Sequence, residues 1–511
     1  MFPDTILYNG NIITLNERRP HASALAIYGE RITFVGPDEP TLLQAGSRTR
    51  QINLNGKTVV PGFCDSHIHL VWFGMNLLTQ ADLIGSESMS EVLERLADIA
   101  AKSAGWIRGH GFDQSKLTEG QFPTRQQLDT VSADRPIVIS RVCGHAGVAN
   151  SAAIALLSPT ERAAGDESTG LYTEQALWTI YRYIPQPTDE QMAEAILAAG
   201  KVLLDTGITS VQTLLDTPEQ MRGFTQLHRA GALPVRATVM PPWSAVEELS
   251  RNGIRTGFGD QWLKIGAAKL FSDGSLGAHT ALLAEPYTDR PDTSGLRIYP
   301  PDELKRRALV AQAAGFQVAI HAIGDQAVNE TIDAIEYALQ NDRQSRDNVY
   351  HRHRIEHASL ASPAAVERLA RLQIVTTFQP QFVTSDTWTP VRIGPARVPW
   401  AYPFKSILSA GIPGTLSSDC PVERPDAFEC LASAVGRHRW SMDERLSPLQ
   451  AIEVYCLGSA YAGHAEDRQG SLETGKLADL VVLSNDPARL TAEQLRATRA
   501  EQVWLGGKRV R

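Results

Sequence analysis

The stretch Val59-Val60-Pro61-Gly62-Phe63-Cys64-Asp65-Ser66-His67-Ile68-His69 decides how the rest of the chain is read. An apolar run leads into two histidines at i and i+2, and residues two apart on a β-strand point the same way. His67 and His69 therefore converge at a strand end, where two imidazole nitrogens can share a divalent cation such as zinc. Asp65 has the same parity and is expected beneath them as a hydrogen-bond acceptor. A His-x-His pair alone is weak, since paired histidines on a strand commonly bind nothing.

Three further segments supply the missing weight. The apolar run Gly315-Phe316-Gln317-Val318-Ala319-Ile320 ends at His321, ahead of the turn Ala322-Ile323-Gly324-Asp325. Arg354-Ile355-Glu356 ends at His357, and Pro413-Gly414-Thr415-Leu416-Ser417-Ser418 ends at Asp419, after which Cys420-Pro421 blocks a helix. Between these points apolar strands alternate with helical stretches, as in parallel βα units. Expected strands are 58–63, 209–212, 235–239, 263–270, 317–320, 354–356, 374–378 and 414–417, with helices at 191–205 and 302–314 among those between them. The expected fold is α/β: a (β/α)8 TIM-like barrel over 59–465. Residues 1–58 and 466–511 read as short strands with tight turns and predict one small β-sandwich domain built from both termini. The interval after the first barrel strand is too long for a loop and predicts an inserted subdomain, about 74–190, covering the barrel mouth.

With 511 residues the chain has room for a barrel with insertions. Net charge is −8, from 49 basic and 57 acidic residues, and no basic run stands out, which argues against a nucleic-acid partner. Five cysteines, an odd number without Cys-x-x-Cys spacing, argue for a reducing compartment. No basic-then-apolar leader begins the sequence, and no run approaches the roughly 18 apolar residues of a membrane span. The expectation is a soluble cytoplasmic protein with a small-molecule substrate and no membrane partner, a homodimer by default.

The segment 263–275 offers two lysines five apart, Lys264 and Lys269, which in one regular strand face opposite sides. Lys269 lies nearer the strand's end and is the one that can reach the mouth. Taken together, Asp65-x-His67-x-His69, Lys269-Leu270-Phe271-Ser272-Asp273-Gly274-Ser275, His321-Ala322-Ile323-Gly324-Asp325, Glu356-His357 and Ser418-Asp419-Cys420-Pro421 resemble the metal-dependent amidohydrolase superfamily, in particular the branch of the N-substituted formamide deformylases. Gly111-Phe112-Asp113, Gly144-His145 with Asn150, and the C-terminal Gly475-Lys476-Leu477-Ala478-Asp479-Leu480 extend the resemblance over nearly the whole chain.

The resemblance implies a hydrolase that cleaves an amide-like C–N bond of a small molecule, other than a peptide bond, by attack of a metal-bound hydroxide. His67 and His69 would hold one zinc ion and His321 and His357 a second. Lys269, carboxylated by carbon dioxide, would bridge both, and Asp419 would contact the first metal and serve as catalytic base and acid. His145 would polarise the scissile carbonyl. Cys143 stands where the matching motif has an acidic residue and is not assigned to metal binding. Trp72, Phe112 and Asp113 are candidate substrate contacts, and Phe382 and Trp388 further aromatic walls. Arg352, His353 and Arg354 read equally as a solvated strand entrance or an anion clamp. Two other readings are a mononuclear deaminase of a nitrogen heterocycle, with Lys269 unmodified, and a catalytically silent scaffold, which the intact ligand set disfavours.

Overall fold

The computed structural model describes residues 2–102, 105–142, 144, 146–342, 351–437 and 439–511. It divides into two compact units, one of residues 1–69, 200–221 and 227–511, the other of 70–199 with 222–226.

The first unit carries two all-parallel sheets with nine strands in total among the described residues. The strands are β1 (Phe63–Ile68), β2 (Ile208–Leu214), β3 (Arg236–Met240), β4 (Leu263–Ile265), β5 (Ala268–Phe271), β6 (Val318–Ala322), β7 (Arg354–His357), β8 (Val375–Phe378) and β9 (Gly414–Leu416). The sheets have the orders β4-β3-β2-β1 and β5-β6-β7-β8-β9. Nearly every residue of β1, β2, β7 and β8 is buried, as expected when helices cover parallel strands. The sheets meet through the main chain in two places, β5 beside the end of β3 and the turn after β9 beside the end of β1. Lys269 N–H donates to Pro241 O at 2.9 Å, Asp419 N–H to His67 O at 2.9 Å and His69 N–H to Cys420 O at 2.8 Å.

Two sequence expectations need correction. The segment 263–270 is not one strand: β4 and β5 lie in different sheets, parted at Gly266-Ala267. Strand parity therefore does not relate Lys264 to Lys269, and Lys264 instead donates to Gly463 O at 2.6 Å. The expected first strand, 58–63, also divides. Thr58–Pro61 joins a sheet built from the chain's two ends, and only from Phe63 does the chain enter β1. Gly62 is the joint, where a Cβ would lie 2.1 Å from Thr209 Oγ1.

That terminal sheet has six strands, in the order Lys508–Arg509, Ala500–Leu505, Leu480–Leu483, Thr58–Pro61, Asn11–Ile13 and His21–Ala22. A four-stranded sheet, Arg31–Gly36, Ala24–Tyr28, Thr5–Tyr8 and Arg50–Asn53, shares one core with it through Leu7, Leu25, Val59, Leu480, Val482 and Trp504. Each such side chain contributes about 1.5–3 kcal/mol by leaving water. Asp479, from the C-terminal motif, accepts from Arg236 Nε at 2.7 Å and Nη2 at 3.0 Å, and from Gly506 N–H at 2.8 Å. Arg236 lies on β3, so this buried bidentate pair ties a strand of the parallel sheets to the terminal sheet. Asp479→Ala would leave Arg236 with only Glu30, at 3.4 Å, to balance its buried charge, so it is expected to lower stability by about 2–4 kcal/mol. A urea midpoint unchanged from the parent would show that the pair carries no such load.

The helix expected at 302–314 is Pro301–Ala313, begun by Pro301 and the acidic Asp302 and Glu303. The helix expected at 191–205 is Asp189–Asp205. The second unit holds a five-stranded sheet in the order Leu171–Thr173, Ala146–Ala149, Ile137–Arg141, Ile107–Phe112 and Ala81–Asp82. Asn150, part of the motif pattern, is structural here. It caps the helix Ser151–Ala155 by accepting from Ala153 N–H and holds Ile137 N–H, both at 2.9 Å.

Candidate metal centre

Strand β1 ends with His67 buried and Ile68 in the core, and His69 follows directly. His67 Nε2 lies 3.2 Å and His69 Nε2 3.7 Å from Asp419 Oδ1, so the rings converge as the two-residue spacing requires. His67, His357 and Asp419 offer three donor atoms within 4.8 Å of one another. The ring centroids of His321 and His357 lie 4.5 Å apart, and those of His67 and His357 5.1 Å. β1 with the residue after it, β6, β7 and the turn after β9 thus bring five of the expected ligands together: His67, His69, His321, His357 and Asp419.

Each histidine has one nitrogen already committed. His67 Nδ1 donates to Glu356 Oε2, His69 Nδ1 to Asp216 Oδ1 at 2.6 Å, and His357 Nδ1 to Gln379 Oε1 at 2.8 Å. His321 is turned the other way: its Nε2 donates to Gly274 O at 2.9 Å, leaving Nδ1 as its free donor atom. Fixing one nitrogen as a donor settles the tautomer and aims the other lone pair, as metal-binding histidines require.

Lys269, on β5, is 3% exposed, and its Nζ has no hydrogen-bond partner among the described residues. Burial lowers its pKa to about 8, against the opposing pull of Glu356 and Asp419. An orphaned amine of lowered basicity beside buried histidines suits modification to an anionic ligand far better than a resting ammonium. Burial, with Lys269 nearby, brings His321 down to about 3, and burial holds His357 well below its ordinary value, so both rings stay neutral and able to ligate. Burial alone would raise Glu356, but Arg354 and His67 outweigh it and keep the carboxylate ionised. The donor set therefore fits a divalent cation: imidazoles, two of them held neutral by burial, a carboxylate and a buried amine.

Two of the expected ligands occupy strained backbone. His357 has φ +75° and Asp419 φ +56°, conformations that non-glycine residues seldom adopt and that cluster where the surroundings impose a geometry. At His357 the turn rotates the ring away from the direction that strand parity would give it after Glu356.

Several expectations change. Asp65 does not receive a ligand ring. Its carboxylate accepts from Ser418 Oγ at 2.6 Å and from the backbone N–H groups of His67 and Ser418, pinning the end of β1 to the turn before Asp419. Glu356 takes the part expected of Asp65. Neither earlier reading of Arg352, His353 and Arg354 holds. Arg352 pairs with Glu466, His353 Nε2 meets Gln312 Oε1 at 2.8 Å, and Arg354, 1% exposed, grips Glu356. Phe382 stacks on His357 at 6.1 Å, parallel within 9°, and Phe271, overlooked in the sequence, is 41% exposed with its ring 5.5 Å from His321. Trp388 lies under the Arg392 guanidinium at 3.8 Å.

The remaining candidates lie in the second unit. Trp72 meets His110 edge-on at 5.6 Å, and Asp113 pairs with Arg141 at 3.0 Å. Phe112 has no exposed surface and packs edge-on to Phe122 at 5.8 Å, so core packing accounts for it where a pocket wall was expected. Cys143 and His145 lie outside the described residues.

The chain matches known proteins over nearly its whole length. The chain belongs to the amidohydrolase family, whose model matches residues 50–511. The solved structure of an uncharacterized metal-dependent hydrolase from Pyrococcus furiosus is 36% identical, with a TM-score of 0.81 over 95% of this chain and 100% of its own. Among curated relatives, the protein LONG AFTER FAR-RED 3 of Arabidopsis thaliana is 30% identical, over 99% of this chain and 91% of its own length. The N-substituted formamide deformylase of Arthrobacter pascens is 26% identical, over 99% and 97% respectively. No helix among the described residues is long and apolar enough to cross a membrane.

Proposed function

We propose that this protein is a metal-dependent hydrolase that cleaves an amide-like C–N bond of a small molecule at the C-terminal ends of its parallel strands. The observation that carries the reading is the convergence of His67, His357 and Asp419 within 4.8 Å, each ring held by its other nitrogen. His67, His69 and Asp419 would hold one cation, with zinc suited to the nitrogen-rich set, and His321 and His357 a second, with Lys269 as a carbamate between them. Bound ions would supply the Lewis acidity that hydrolysis at neutral pH needs.

The side chains supply the rest. Asp419, beside His67 and His69, takes a proton from the attacking water and returns it to the leaving nitrogen, a base turned acid. Glu356 and Asp216 keep His67 and His69 in one tautomer through the cycle. Phe271 and Phe382 flank the ligand rings with apolar surface. They exclude water and offer a wall to an apolar substituent of the substrate.

The test is metal content and intact mass of protein prepared without chelators, followed by a panel of formamides, N-acyl amines and cyclic amides. Expected are two metals per chain, the added mass of carbon dioxide, and hydrolysis of at least one amide class, lost with chelator and restored by zinc. Metal-loaded protein that hydrolyses none of the panel but releases ammonia from nitrogen heterocycles would replace this reading with the deaminase.

A further inference from the structure

The four histidines differ in what stands behind them. His67 and His69 donate to carboxylates, Glu356 and Asp216. His357 donates to a neutral amide oxygen, that of Gln379, whose Nε2 is committed to Ser417 Oγ at 2.9 Å and so fixes which end of the amide faces the ring. His321 donates to the backbone carbonyl of Gly274. Asp273 Oδ1 lies 3.4 Å from the same nitrogen, but that carboxylate is already engaged by the backbone N–H groups of Leu282, Ile323 and Gly324, at 2.8, 3.1 and 2.8 Å.

We propose that Glu356 and Asp216 are positioning residues that make the pocket of His67, His69 and Asp419 the tighter of two metal positions, with His321 and His357 forming a weaker, exchangeable one, a ranking that rests on the two-metal reading above. A carboxylate behind an imidazole pulls on the Nδ1 proton and makes the opposite nitrogen a stronger donor, and a neutral carbonyl does so less. Ligand number works in the same direction, since the first position also collects the Asp419 carboxylate. Glu356 cannot swing away from its ring. Arg354 holds it through Nε at 2.5 Å and Nη2 at 3.1 Å, and is itself fixed by Ser66 O at 2.7 Å and Thr377 Oγ1 at 2.9 Å. Asp216 is steadied by Gln220 Nε2 at 3.2 Å.

The experiment is a titration of the metal-stripped full chain with zinc against a chromophoric chelator of known affinity, with elemental analysis of stoichiometry. At about 10–100-fold in affinity for each supporting carboxylate, two phases separated by about 100-fold or more are expected. Glu356→Gln and Asp216→Asn should each weaken the tight phase by about 10–100-fold and leave the weak one within about threefold, while Gln379→Glu strengthens the weak phase. His321→Asn should delete the weak phase, and deletion of the tight phase instead would invert the ranking. Should Glu356→Gln fail to fold with Arg354 left unpaired, Asp216→Asn at the rim carries the same test. Two phases of equal affinity, or a weak phase that moves with Glu356→Gln, would overturn the ranking and leave the two-metal site standing. Saturation at one metal would overturn both.

Discussion

Replacing Asp419 by Asn is expected to lower kcat by about 10²- to 10⁴-fold, the usual weight of a positioned general acid and base, with the folded chain intact. The substitution keeps the side chain's size and its turn. The residue sits at φ +56°, and asparagine is among the few residues that accept that conformation readily. Its backbone N–H still reaches His67 O, and its carbonyl still accepts from Val422 N–H at 2.9 Å. What is lost is a carboxylate oxygen 3.2 Å from His67 Nε2, ionised because His67, His69 and Lys269 together outweigh the cost of burying it. Steady-state kinetics with a circular dichroism control decides the matter. A correctly folded Asn variant with parental kcat would remove Asp419 from the chemistry.

Lys269→Met is expected to abolish turnover, by at least about 10³-fold if the lysine's product is a metal ligand, and yet to stabilise the metal-stripped protein. The lysine is almost fully enclosed, its Nζ over the Phe271 ring at 4.7 Å and without a hydrogen-bond partner among the described residues, and burial depresses its pKa from 10.5 to about 8. A depressed amine means that the folded state binds fewer protons than the unfolded one between those values. The charged lysine therefore costs stability below pH 8, on the order of 3 kcal/mol, and that cost fades as pH rises toward 10.5. Methionine fills the same space without it. The two readouts separate role from fold, since a merely structural lysine would lower both activity and stability. The same pKa governs activation. Carbamate formation joins the neutral Nζ to carbon dioxide and releases a proton. Reconstitution from stripped enzyme, zinc and dissolved carbon dioxide at fixed concentration should therefore quicken about tenfold per pH unit up to about 8, then level off. A rate flat across pH 6–8 would argue against the modification.

The strand-end ligands were legible because each closes an apolar run: His67 and His69 by two-residue spacing, His321, His357 and Asp419 by the turn signals after them. Their partners were not. Asp216 is 147 positions from His69 and follows a strand with no marker of its own, and Gln379 looks like any polar residue after β8. Glu356 was visible as a motif letter, but strand parity puts it on the face opposite His357. His357 and Ala358 both have positive φ, which breaks the strand's alternation there, and backbone strain leaves no trace in composition. Asp65 misled for the converse reason: its parity was right, but a serine 353 positions away claimed its oxygens. The break at Gly266-Ala267 also escaped notice, because the apolar run continues through it while the backbone changes sheets.

The terminal sheet has a bearing on the order in which the molecule can be made. Thr58–Pro61, three residues ahead of Cys64 and one glycine ahead of the strand bearing His67, pairs along one edge with Leu480–Leu483. On the ribosome that partner emerges more than four hundred residues later. Until then the segment leading into the metal ligands has one edge unpaired, and Arg236 waits for Asp479 with its charge unmatched by that carboxylate. A chain stalled or clipped before Leu480 would therefore present His67 and His69 with the strand that leads into them paired along one edge alone.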